Sequence, residues 1–128
     1  MPPLKLDDSF QITRVFNREE VSAFCDLTGD FGAHHNREQS DGKVVVPGLL
    51  TGSLPTQVGG KLNFLISELQ YVFNKPVRTG ETVTCKLVID NVTPHPKGSW
   101  IHASIEIRSL NQVVVKGSCA GLATDSNQ

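Results

Sequence analysis

Pro47-Gly48-Leu49-Leu50-Thr51-Gly52-Ser53-Leu54-Pro55-Thr56-Gln57-Val58-Gly59-Gly60 is the stretch on which the architecture turns. Leu50, Leu54 and Val58 recur at helical spacing among small residues. That pattern predicts a buried helix opening at Pro47, where a missing backbone N–H leaves no bond unmade. Pro55 interrupts it. A proline inside a helix removes one donor and crowds the preceding turn, so the helix is expected to kink there or end its regular part early.

Downstream the period changes from helical to alternating. Val83, Cys85, Leu87 and Ile89 alternate with Thr82, Thr84, Lys86 and Val88, and Ile101, Ala103, Ile105 and Ile107 alternate with His102, Ser104, Glu106 and Arg108. Each set predicts a half-buried strand. With Leu62 to Phe73 before them and Val113 to Ala120 after them, four strands follow in succession. Their expected connections are Pro76 to Gly80, Thr93 to Ser99 and Leu110 to Gln112, short enough to favour an antiparallel sheet.

Upstream, Phe10 to Phe16 reads as a short strand with Phe10, Ile12 and Arg14 on one face. Asn17 is a good N-cap with Glu20 at capping-box spacing, and Phe16 and Val21 stand at the positions of a hydrophobic staple. The helix they start carries Val21, Phe24, Cys25 and Thr28 on one face and ends at Gly29, placed for a left-handed turn. Phe31 to Gly42 lacks a period and is expected to be an irregular loop, and Thr124 to Gln128 a disordered tail. The order is therefore strand, helix, loop, buried helix and four antiparallel strands. This predicts an α+β class in which an antiparallel sheet wraps a central helix, the hot-dog arrangement, as one domain over residues 1–128.

Composition narrows the function classes. With 12 basic and 13 acidic residues spread along 128, the net charge of -1 leaves no basic stripe for a phosphate backbone, so no nucleic-acid partner is expected. Cys25, Cys85 and Cys119 are odd in number and widely separated, unlike disulfide or zinc spacings, which fits a reducing compartment. His34, His35, His95 and His102 match no compact metal pattern, so neither metal nor cofactor is expected. No apolar run approaches the roughly 20 residues that span a bilayer, so a cytoplasmic protein without a membrane partner is expected. Trp100, Tyr71 and the phenylalanines fall at strand or helix positions and are expected in core or interface.

Leu27-Thr28-Gly29-Asp30-Phe31-Gly32-Ala33-His34-His35 resembles the hydratase motif of the MaoC-like family, which includes the R-specific enoyl-CoA hydratases, in its Thr-Gly-Asp and in the four residues between Asp30 and His35. Val46-Pro47-Gly48-Leu49 resembles that family's central-helix start, and Phe73, Pro76-Val77 and Gly80-Glu81 its next strand and turn. The resemblance covers nearly the whole chain, with Gly32-Ala33 standing where the family usually has Asn-Pro. It implies a hot-dog hydratase or dehydratase acting on an enoyl or 3-hydroxyacyl thioester of coenzyme A or acyl carrier protein, with Asp30 and His35 as catalytic residues.

Such chemistry needs a base that takes a proton from water and an acid that returns one to the alpha carbon, and a carboxylate beside an imidazole holds one water for both transfers. The amide of Gly48 suits the thioester oxygen, where enolate-like charge develops. Each residue also has a plainer explanation. An Asp after a helix-ending glycine commonly caps a turn, a loop histidine is commonly solvated, His34 competes with His35 for the site, and Gly48 could serve close packing. Within the same fold a thioesterase is the rival, although Pro47 to Gly60 holds no Asp or Glu for a carboxylate on the helix. A non-catalytic acyl-thioester binding module is the rival from another class. Lys75, Arg78 and Lys97 could meet carrier phosphates. A protomer of this kind leaves an open sheet edge, so a homodimer joined edge to edge is expected.

Overall fold

Local signals set the first elements. In the computed structural model, which describes residues 4–37 and 40–124, β1 (Ser9–Val15) leads directly into α1 (Arg18–Thr28). Asn17 accepts from the Glu20 amide at 2.8 Å while the Glu20 carboxylate accepts from the Asn17 amide at 3.0 Å, so the capping box forms as the spacing predicts. Phe16 and Val21 are both buried in the core. Gly29 ends the helix at φ 76 with its N–H bonded to the Cys25 carbonyl, a conformation that costs glycine little. Val21 and Cys25 are the buried residues of α1, whereas Thr28 is exposed and turns its hydroxyl back onto the Phe24 carbonyl. Arg14 is exposed rather than shared with the inner face of Phe10 and Ile12; it lies 4.7 Å over the Phe16 ring and pairs with Glu20.

Two one-turn helices follow, α2 (Ala33–Asn36) and α3 (Gly48–Thr51), then α4 (Thr56–Lys61). The expected loop from Phe31 to Gly42 thus contains an ordered turn at its start. The central helix breaks as Pro55 requires. Its regular part stops at Thr51, residues 52–55 form turns, and α4 restarts with Pro55 at the position before its first residue. Thr51, Leu54 and Val58 are buried, so both pieces keep their apolar side on the sheet.

The remaining elements are β2 (Phe64–Phe73), β3 (Thr82–His95), β4 (Gly98–Ser109) and β5 (Gln112–Thr124). All pairings are antiparallel, in the order β1-β3-β4-β5-β2, so β2 lies at the edge opposite β1 and two strands separate it from β3. The alternating residues of β3 and β4 face inward and are buried with the helices in one core. The expected connection at Thr93 to Ser99 is shorter than its composition implies, because the ladder continues to a His95–Gly98 pair and leaves a two-residue turn at Pro96-Lys97. Leu110 and Asn111 form the other two-residue turn at φ 51 and 61. Thr124 belongs to β5 and bonds through its amide to the Asn63 carbonyl; the rest of the expected tail, residues 125–128, lies outside the described residues. No helix among the described residues is long and apolar enough to cross a membrane.

Candidate active site

The left-handed turn at Gly29 sends the chain away from the axis of α1 and presents Asp30, whose side chain is 43 % exposed. Asp30 Oδ1 accepts from the Gly32 amide at 3.1 Å, which fixes the carboxylate over the turn. One turn of α2 then carries His35 inward, where it is buried. His35 Nδ1 lies 2.8 Å from the Val45 carbonyl, and the Val45 amide donates to the His34 carbonyl at 3.0 Å. The turn and the segment leading to α3 are thereby tied together on both sides of Val45.

Those bonds fix the tautomer. A carbonyl has no hydrogen to give, so Nδ1 carries it, and in the neutral ring Nε2 offers a lone pair. Nε2 faces Asp30 Oδ2 at 3.4 Å, which leaves two acceptors looking at one another across a gap too long for a strong direct bond. A molecule with two O–H groups satisfies both at once. Asp30 thus holds the turn through its first oxygen and directs its second at the imidazole.

His34 is exposed and packs at a tilt against His35, with ring centroids 3.9 Å apart and planes at 57°. Gly48 opens α3, and among the described residues no acceptor bonds its amide. A Cβ there would stand 3.0 and 3.1 Å from two carbons of the Phe73 ring, so the position also needs glycine for packing. α3 has four residues, so a helix dipole contributes little at Gly48 and any donor power belongs to the amide itself.

A cavity of about 400 Å³ opens between the broken helix and the sheet, with Gly52, Pro55, Gly59, Tyr71, Ile89 and Ile105 in its wall. Asp30, His35 and Gly48 are not among its lining residues. Tyr71 crosses from β2 and donates its hydroxyl to the Gly52 carbonyl at 2.8 Å. Burial, then the neighbouring Cys85 and Cys119, pushes its phenol well above the ordinary range. Burial pushes the Cys85 and Cys119 thiols up to about 11, and burial together with the charges of Asp30 and Asp26 raises Cys25, so all three are protonated thiols at neutral pH. Arg78 is engaged with Asp41 at 2.6 Å and Glu81 at 3.5 Å. The Lys43 amide and Arg78 hold the Asp41 carboxyl below its usual value. Among the described residues no group of three His, Cys, Asp or Glu could hold a metal ion.

The sequence motif brought out Asp30, His35 and Gly48 but not the anchor of the imidazole or the wall of the cavity. The anchor is a backbone carbonyl, which any residue supplies, so nothing at Val45 marks it. The cavity had a signal in Gly52, Pro55 and Gly59, small or helix-breaking residues on what would otherwise be a filled helix face.

No protein-family model and no curated protein matches this sequence. Solved structures do match. An R-hydratase from A. caviae involved in PHA biosynthesis superposes with TM-score 0.81 at 21% identity, over 92% of this chain and 96% of that one. The R-hydratase PhaJ1 from Pseudomonas aeruginosa gives 0.83 at 15% identity over 96% and 84%, and a MaoC-like dehydratase from Rhodospirillum rubrum 0.69 at 13% over 94% and 93%. These likenesses establish the fold as the α+β hot-dog fold.

Proposed function

We propose that this protein is a hydro-lyase that adds water to an enoyl thioester or removes it from a 3-hydroxyacyl thioester. One observation carries the proposal: His35 Nδ1 is committed to the Val45 carbonyl, and Nε2 and Asp30 Oδ2 face each other 3.4 Å apart as two acceptors for one water. In the hydration direction the water oxygen bonds to the beta carbon and gives one proton to the pair. The electron pair of the carbon–carbon double bond moves toward the thioester carbonyl, where the Gly48 amide receives the developing negative charge. A proton from the pair then goes to the alpha carbon, so water is added in full and no cofactor or metal is required.

The apolar cavity suits an acyl chain, and coenzyme A or acyl carrier protein would remain outside as the carrier. The exposed apolar residues of β2 support a homodimer, and the three free buried thiols support a reducing, cytoplasmic setting. The test is turnover of a short enoyl thioester, followed by loss of its ultraviolet absorbance, and of the 3-hydroxy thioester in reverse. Binding of both without conversion would leave a binding module, and release of free thiol would make the protein a thioesterase.

A further inference from the structure

Gly32 stands at φ -59 and ψ 141, an extended conformation open to any residue, so its backbone does not call for glycine. Its surroundings do. A Cβ at Gly32 would lie 3.0 Å from His34 Cε1, 3.5 Å from His34 Nδ1 and 3.3 Å from Asp30 Oδ1. The space that glycine leaves is therefore filled by the His34 imidazole, which from there leans on His35 with centroids 3.9 Å apart. The Gly32 position thus has the His34 ring and Asp30 Oδ1 on its borders, and the same His34 ring is packed at a tilt against His35. The His34 carbonyl, bonded to the Val45 amide, fixes the backbone beneath it.

We infer that His34 is a positioning residue of the site and that Gly32 is its socket: the ring lodged over Gly32 holds the His35 imidazole against rotation and keeps its Nε2 aimed at Asp30 Oδ2. This inference rests on the hydratase reading for its kinetic consequence but not for its structural one. Among the described residues the one hydrogen bond to the His35 ring is at Nδ1, and a buried ring held at one atom turns about that bond unless its neighbours fill the space around it. The ring of His34 does so through shape, so an apolar ring should replace it and a methyl group should not.

Two measurements on the same variants decide the matter. In the first, nitrogen-15 spectra of the His35 imidazole are recorded near neutral pH; wild type and His34→Phe should show one tautomer with hydrogen on Nδ1, and His34→Ala a mixture. In the second, kcat of His34→Ala should fall about tenfold with KM nearly unchanged, as a small misplacement of a reacting group requires, while His34→Phe stays within about threefold of wild type. Gly32→Ala should lower kcat more in the wild-type background than in the His34→Ala background, because removing the ring removes the methyl's closest contact and leaves only the one to Asp30 Oδ1. A single His35 tautomer in His34→Ala overturns the inference, as does a His34→Phe variant no better than His34→Ala. If wild type converts no thioester, the hydratase reading falls, and the tautomer measurement still decides the role of His34.

Discussion

His35 and Asp30 share one arrangement, in which each has one atom tied down and another directed at its neighbour. Asp30 holds Gly32 through Oδ1 and offers Oδ2, and His35 holds Val45 through Nδ1 and offers Nε2. Asp30→Asn keeps the shape and the turn but removes the basic oxygen, so kcat should fall by roughly two to four orders of magnitude, with the melting temperature little changed. His35→Ala should lose a similar amount, and the double variant little more, because members of one unit are not additive. Steady-state hydration assays with thermal melts check this, and a fully active Asp30→Asn would sink the mechanism. The buried thiols give a separate prediction at this scale. Their ordinary pKa is 9.0 and burial raises Cys85 and Cys119 to about 11, so folding favours the protonated form. The stability they contribute is whole below pH 9 and is lost as pH climbs toward 11. Melting temperatures of wild type should drop more steeply over that window than those of the Cys85→Ala and Cys119→Ala variants. Parallel slopes would show that the thiols do not govern the alkaline limb.

At the scale of elements, the turn between β4 and β5 stores a local conflict. Leu110 and Asn111 both have positive φ, as a tight hairpin turn needs, but a leucine side chain resists that conformation and Leu110 is 70% exposed with no core contact to compensate. Leu110→Asn or Leu110→Gly should stabilise the protein by about 0.5–1 kcal/mol, a rise of a few degrees in melting temperature, read by calorimetry. An unchanged or lower value would mean that the exposed leucine is held by something other than the turn. How visible an element is in the sequence follows the range of the forces that make it. The α1 helix was legible because its cap, Asn17 to Glu20, and its terminator, Gly29, act within a turn of the chain. The inner residues of β3 and β4 were legible because one face is buried and the other wet. The ends of that hairpin were not, since from Asp90 to Ser99 no residue is fully buried and the pairing rests mainly on the backbone ladder. α2 spans four residues, too few to show a period, so the turn that delivers His35 was hidden although His35 itself was marked by its spacing from Asp30.

At the scale of the whole molecule, the sheet of the described residues ends in two edge strands, β1 and β2, and they differ. β1 presents Gln11, Thr13 and Arg14 to solvent along seven residues, whereas β2 runs ten residues with Leu65, Ile66, Leu69, Val72 and Phe73 all exposed. Strand order is set by contacts between distant residues, so the sequence pattern could announce an open edge without saying which strand would form it. An exposed, apolar edge with unpaired backbone groups is a template for another strand, and the copy most available in solution is the protein itself. A two-fold pairing of β2 with β2 would extend the sheet across both protomers and cover those side chains. Light scattering at micromolar concentration should therefore give twice the protomer mass. Leu65→Lys with Val72→Lys changes side chains that line no part of the apolar cavity, and it sets like charges along the join, which should shift the mass to that of one protomer. Thr13→Lys on the β1 edge should leave the dimer intact. A wild-type monomer would count against the pairing. So would a Leu65→Lys, Val72→Lys variant that remains dimeric, since two lysines per strand facing their copies across the join leave no apolar edge to hold it.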